Sequence, residues 1–141
     1  LTKQKKWKFL CNTFSTDVFG LNQLSQNEEI VVICAGQKDV LSLYANTGIK
    51  GIALNSEKNI YHESLHIKIS EVAETIMICY DKDETGIKES SKISKEYNIP
   101  LIDLRDFDFS KKDLSDFFAD PTTDTQQLIN YINDIKNANS N

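Results

Sequence analysis

Three short polar clusters carry the residue types that metal and phosphate chemistry require. They are Gly36-Gln37-Lys38-Asp39, Asp81-Lys82-Asp83-Glu84-Thr85-Gly86 and Lys112-Asp113-Leu114-Ser115-Asp116. Asp81 and Asp83, one residue apart, can both face one site. Two carboxylates with few cations beside them suit Mg2+, which takes oxygen ligands and keeps several waters. Phosphate oxygens of a nucleotide would complete that shell, an arrangement used in phosphoryl and nucleotidyl transfer. The pair also has a plainer use, in which Asp83 caps a helix and Asp81 is solvated.

Other motifs share some of these residues. The run from Asp81 to Gly86 imitates the start of an EF-hand loop, but that loop needs a bidentate Glu at its twelfth position, and Lys92 stands there. A strand rather than a helix is also expected before it. The same residues fit the DxDxT nucleophile motif of haloacid-dehalogenase-like phosphatases. In that family the motif follows the first strand and needs a downstream acidic metal motif, whereas here it follows a central strand near the end of the chain.

The elements that would position these clusters follow from the apolar pattern. Ile30-Val31-Val32-Ile33-Cys34-Ala35 and Ile76-Met77-Ile78-Cys79-Tyr80 are uninterrupted and β-branched, as in parallel strands covered on both faces. A helix follows the first, carrying Val40, Leu41, Leu43, Tyr44 and Ala45, and Gly48 suits its left-handed cap. Residues 51–54 form a further expected strand. Residues 65–74 read as a helix, although isoleucines alternating with His66, Lys68 and Ser70 leave a strand open. Asp83 starts a helix over 84–97 that ends at Asn98-Ile99-Pro100. Another strand is expected at 101–104, a short helix at 113–119 and a terminal helix at 125–138. Strands alternating with helices give a parallel α/β sheet, whose ligands bind beyond the carboxyl ends of the strands. All three clusters fall at that edge.

The composition sets bounds. The 141 residues are 40% hydrophobic and 26% charged with a net charge of −5, which excludes low-complexity chains and a self-sufficient basic nucleic-acid binder. Cys11, Cys34 and Cys79 form no CxxC pair; Cys34 and Cys79 sit in apolar runs as small hydrophobes, in keeping with a reducing cytoplasm. The apolar runs are too short to span a bilayer, and Lys5-Lys6-Trp7-Lys8 leads into no signal-peptide core. The start at Leu1 reads as a piece of a larger protein. His62 and His66, four apart, lack the HExxH context of a zinc site. Lys3, Lys5, Lys6 and Lys8 with Trp7 either touch a nucleic-acid backbone or form a solvated arm. Arg105 faces simpler partners in Asp103, Asp106 and Asp108 than a phosphate. Phe107, Phe109, Phe117 and Phe118 are expected to pack the last helices on the sheet.

Taken in order, an apolar strand with xGxKD, an apolar strand with DxDxxG, and a KDLSDF segment resemble a Toprim domain over residues 30–118. With Phe19-Gly20-Leu21 upstream and Lys112-Asp113 downstream, the flavour is that of the bacterial and phage-type DNA primase or primase-helicase group. The resemblance implies an α/β Toprim-like compact domain with about four strands, mainly parallel, flanked by helices. It implies Asp81 and Asp83, with Asp113, as ligands of Mg2+ (or Mn2+). Asp39 and Lys38 would lie near the metal or nucleotide, with Gly36 and Lys112 on the cofactor. The boundaries expected are an N-terminal arm or tail of a preceding domain at 1–28, the Toprim domain at 29–120, and at 121–141 a helix packing on or leading out of it. Within 1–28, the first twenty residues, with Trp7, Phe9, Phe14 and Phe19, form either an edge strand and packed arm or that tail.

The resemblance also implies NTPs and a single-stranded DNA template, met through the parent protein, with adjacent helicase and zinc-binding domains and no membrane. In one place the sequence departs from the family. The Toprim pattern carries Glu before the first glycine, EGxxD, where it serves as metal ligand in primases and general acid/base in topoisomerases; here that residue is Ala35. Glu57, after the second expected strand, is the candidate replacement. Without one, the alternatives are a catalytically inactive interaction or regulatory module, or a small metal-dependent nuclease or phosphatase.

Overall fold

The computed structural model describes residues 18–54 and 61–139. Four strands, β1 (Val18–Phe19), β2 (Glu28–Cys34), β3 (Lys50–Leu54) and β4 (Ala73–Cys79), form one sheet in the order β1-β3-β2-β4. Strand β2 pairs in parallel with β3 and with β4, Cys34 standing opposite both Ala53 and Cys79. The edge strand β1 runs antiparallel to β3. Five helices connect and flank the sheet: α1 (Gln37–Thr47), α2 (Glu63–Ser70), α3 (Glu84–Tyr97), α4 (Leu114–Ala119) and α5 (Thr125–Asn139).

The uninterrupted apolar runs have the expected cause, because both faces of the central strands are covered. Val32, Cys34, Met77 and Cys79 face a cluster with Leu43, Leu104, Phe107, Phe109, Phe117, Leu128 and Ile132. Val31, Ile33, Ile76, Ile78 and Tyr80 face the other side, with Ile52, Leu54, Ile69 and Ile93. Phe118 packs against the first cluster, and Phe107, Phe109 and Phe118 all meet Phe117 edge-on. Leu128 and Ile132 bury α5 in that same cluster, so the terminal helix lies on the sheet. Both buried thiols, Cys34 and Cys79, are pushed up by burial, as expected of inert packing cysteines.

Two elements differ from the expectation. Residues 101–104 form no strand: Leu101 makes one isolated parallel bridge to Ile78, and the chain then turns into a 3-10 helix at Leu104–Asp106. Asp103 turns it, accepting from the Arg105 backbone N–H at 2.9 Å and pairing with the Arg105 guanidinium at 2.7 Å. The fourth strand is β1, the edge strand expected within the first twenty residues. Helix α2 starts at Glu63 and ends at Ser70, and β4 is already extended at Ala73, so the alternating isoleucines belong to the helix. His62 is the N-cap of α2 rather than part of it, so it shares no helical face with His66. Both histidines are half-buried, and His66 Nδ1 lies 3.0 Å from the Tyr61 hydroxyl. The N-terminal lysines, Trp7, Phe9, Cys11, Phe14 and Glu57 lie outside the described residues.

Candidate metal centre

Each polar cluster sits where a strand or loop delivers the chain to a helix start at the carboxyl edge of the sheet. Gly36 caps α1, its carbonyl accepting from the Asp39 N–H at 3.1 Å, so Asp39 falls on the first helical turn. Gly48, at φ 75°, closes the other end of that helix in the left-handed conformation the sequence predicts. After β4, Asp81 follows Tyr80 directly, and Asp83 caps α3 by accepting from the Gly86 N–H at 2.8 Å. Gly86 has a further reason to be glycine. A Cβ there would stand 2.1 Å from the Asp81 carbonyl oxygen and 2.8 Å from its carbon. The first turn of α3 therefore rests directly on the Asp81 backbone.

The third cluster is a capping box. Asp113 accepts from the Asp116 N–H at 2.7 Å, and the Asp116 carboxylate accepts from the Asp113 N–H at 3.2 Å. The preceding loop is tied to the DxD turn, since the Lys82 N–H donates to the Lys112 carbonyl at 2.8 Å.

These supports bring Asp39, Asp81 and Asp113 together, one carboxylate oxygen from each lying within 4.8 Å of the others. Asp39 and Asp81 are buried and Asp113 is half-buried. One oxygen of Asp39 accepts both the backbone N–H (2.9 Å) and the hydroxyl (2.8 Å) of Ser115, which also locks α4 to α1. Burial holds the Asp81 carboxyl above its ordinary 3.8, and the charges of Asp39 and Asp113 push it further the same way. Asp113 is likewise raised, by burial first and then by Asp39.

Like charges this close disfavour one another's charged form, a cost that a bound cation would offset. The donor set is carboxylate oxygen without Cys or His, which fits a hard divalent ion such as Mg2+ or Mn2+ rather than zinc.

The remaining candidates lie around this centre. Asp83 is outside the three-carboxylate group; it is half-buried, caps α3 and meets the Lys112 ammonium at 3.4 Å. Lys112 also lies 3.6 Å from Asp81. Lys38 is exposed on the first turn of α1, next to buried Asp39. Gly36 lies close by: a Cβ on it would be 3.8 Å from Asp39 Oδ2. Ala35 is half-buried against the α2–α3 face of the sheet and offers no donor. Ser115 is the residue that sequence reasoning missed. It lies 76 residues from Asp39, so the only hint was its place inside KDLSD.

An α/β domain with a carboxylate centre at the carboxyl edge of a parallel sheet is the class this geometry defines. The model of the Toprim-like family matches residues 21–118, and the chain belongs to that family. No curated protein sequence matches it. Among solved structures, it is similar to a chain in the bacteriophage T7 lagging-strand DNA polymerase complex with primase domains of two gp4 subunits, bound to an RNA/DNA hybrid and dTTP. Identity is 18% and the TM-score 0.50, over 66% of this chain and 49% of that one. The likeness is one of fold, and the match spans about half the length of the T7 chain. Among the described residues, no helix is long and apolar enough to cross a membrane.

Proposed function

We propose that this chain is the divalent-metal-binding Toprim domain of a DNA primase or primase-helicase of a phage or mobile element. It would support nucleotidyl transfer in RNA primer synthesis during DNA replication, in the cytoplasm. The observation that carries this reading is the convergence of Asp39, Asp81 and Asp113 within 4.8 Å at the sheet edge where such domains bind ligands. Asp39, Asp81 and Asp113 would hold Mg2+ or Mn2+, with Asp83 beside them. A bound ion would polarise nucleotide phosphate oxygens and offset the charge that develops on them.

The chain's own residues prepare the site for that ion. Ser115 fixes the Asp39 carboxylate, the α3 turn at Gly86 fixes the Asp81 backbone, and exposed Lys38 stands ready for a phosphate. Gly36 lies beside Asp39 at the start of α1. Residues 29–120 are the proposed domain, with 121–141 as its packing helix. NTPs and single-stranded template would be met through the parent protein, together with helicase and zinc-binding neighbours.

The test is primer synthesis by the full-length parent, wild type against the Asp81→Ala/Asp83→Ala double variant. Loss of primers in the variant is expected, and equal yields would overturn the reading. A second reading, a catalytically inactive Toprim-like module, is favoured by Ala35 at the position of the family's glutamate. It predicts no primers from either protein. Mg2+-dependent nicking by this chain alone would point instead to a nuclease. Glu57 remains the proposed replacement carboxylate; if Glu57→Gln leaves metal affinity unchanged while Asp81→Asn abolishes it, that role is wrong.

A further inference from the structure

Among the described residues, the ammonium that meets the carboxylate centre is that of Lys112. Lys112 sends its ammonium to 3.4 Å from Asp83 Oδ2 and 3.6 Å from Asp81 Oδ2, while its side chain stays 58% exposed. Its backbone is held at both ends: the N–H donates to Asp116 at 3.2 Å, and the carbonyl accepts from the Lys82 N–H at 2.8 Å. A fixed base with an exposed, flexible stem lets the charge swing in and out without moving the loop. The nearest other lysine cannot take this place, because the Lys82 ammonium is committed to Phe109. It donates to the Phe109 carbonyl at 2.5 Å and lies 3.7 Å from the centre of its ring. Lys111 is exposed, and its charge acts on Asp116 rather than on the DxD pair.

We propose that Lys112 is an exchangeable counter-ion that competes with a divalent cation for the Asp81–Asp83 carboxylates and so sets the metal affinity of the centre. The inference rests on the metal-binding reading above and assigns it an internal regulator. A metal on Asp81 would meet the ammonium 3.6 Å from Oδ2, and the repulsion between the two positive charges favours the ammonium swinging out as the metal binds. Exposed ion pairs are individually weak, each equivalent to roughly a two- to fivefold change in an equilibrium constant. The lysine therefore tunes affinity rather than blocking the site.

Mn2+ titration of the 141-residue chain at low ionic strength, read by calorimetry and by the free-Mn2+ paramagnetic resonance signal, tests this directly. Lys112→Met should tighten Mn2+ binding by about four- to twenty-fivefold, the combined effect of losing two such pairs. Lys111→Met removes the same net charge without the contact and should change affinity less than twofold. Lys112→Arg keeps a competitor and should bind no more tightly than wild type. An unchanged or lower affinity in Lys112→Met, or equal tightening in Lys111→Met, overturns the counter-ion role. If wild type binds Mn2+, Asp81→Asn does not and Lys112→Met equals wild type, this inference alone fails. If wild type and Asp81→Asn bind equally, the metal reading fails and takes the inference with it.

Discussion

Gly86→Ala places a methyl group where the structure has no room for it. The added carbon would lie 2.1 Å from the Asp81 carbonyl oxygen, against a floor of 3.0 Å for real contacts, so α3 and the Asp81 backbone must separate by about 0.9 Å. Both sides are main chain, and no side-chain rotation relieves the clash. Overpacking of this kind costs about 1–3 kcal/mol, and the upper end applies where backbone must move. Alanine returns up to ~1 kcal/mol through its better helix propensity, leaving a net loss of about 2 kcal/mol. For a chain near this size that lowers the melting midpoint by roughly 4–8 °C.

The displacement falls on Asp81 itself and loosens the Asp83 cap, which bonds the Gly86 N–H at 2.8 Å. Metal affinity should therefore drop along with stability. Thermal unfolding by circular dichroism, paired with Mn2+ titration of the folded variant at 10 °C, reads both effects. A variant that melts at or above the wild-type midpoint and binds Mn2+ equally well would refute the claim that α3 rests on the Asp81 backbone.

Further tests reach the rest of the centre and the fold. Folding raises the Asp81 and Asp113 pKa values above 3.8, so their contribution to stability is present below that pH and is lost as pH rises through the folded values. Asp81→Asn should accordingly be more stable than wild type at pH 7.5 in EDTA, with the gain shrinking toward pH 4; equal urea midpoints at both pH values would contradict this. The same variant should lose at least about tenfold in Mn2+ affinity, a loss of the size expected for removing a charged ligand. Ser115→Ala removes one of two hydrogen bonds to buried Asp39 and should cost about 1.5–3 kcal/mol by urea unfolding. Leu128→Ala should cost about 2–5 kcal/mol, and a loss below 1 kcal/mol would mean that α5 is not part of the cooperative unit.

Much of the centre was legible because its signals are local. A β-branched run followed at once by Asp81-Lys82-Asp83 declares a strand end and a cap, and α3 begins at Glu84 and ends at Tyr97 as its spacing predicts. Cys34 and Cys79 declared their burial in the same way. The misread elements are those decided by long-range packing. Leu101 and Ile102 are apolar enough for a strand, yet Asp103 bonding to Arg105 ends the pairing after one bridge. The edge strand expected within the first twenty residues is the two-residue Val18–Phe19, too short for a periodic signal to fix its bounds. For Asp83 the sequence left a ligand and a helix cap both open; in the fold it caps α3 through the Gly86 N–H and pairs with Lys112 beside the three-carboxylate group. The resemblance already grouped Asp39 and Asp113 with Asp81; the fold adds the distance, bringing one oxygen of each within 4.8 Å although 74 residues separate Asp39 from Asp113 in sequence.

The acidic balance of the chain follows from this arrangement. Residues 81–120 hold 11 acids and 7 bases, so −4 of the net −5 lies in the stretch that ends β4 and forms α3 and α4. Part of that charge is neutralised locally, as in the Arg105–Asp103 pair, and part serves to cap helices at Asp83 and Asp113. Two acids of that stretch, Asp81 and Asp113, meet Asp39 in the carboxylate centre, where burial and the neighbouring charges raise the cost of ionising Asp81. Two-sided burial of β2 and β4 supplies the stability that tolerates such a centre, and Ser115 and Gly86 hold the carboxylates in place against their repulsion. Alanine at position 35, where the family carries glutamate, leaves one fewer negative charge to hold. On the proposed metal-binding reading, three buried or half-buried carboxylates with the exposed Lys112 beside them would leave occupancy sensitive to the small energies of that lysine.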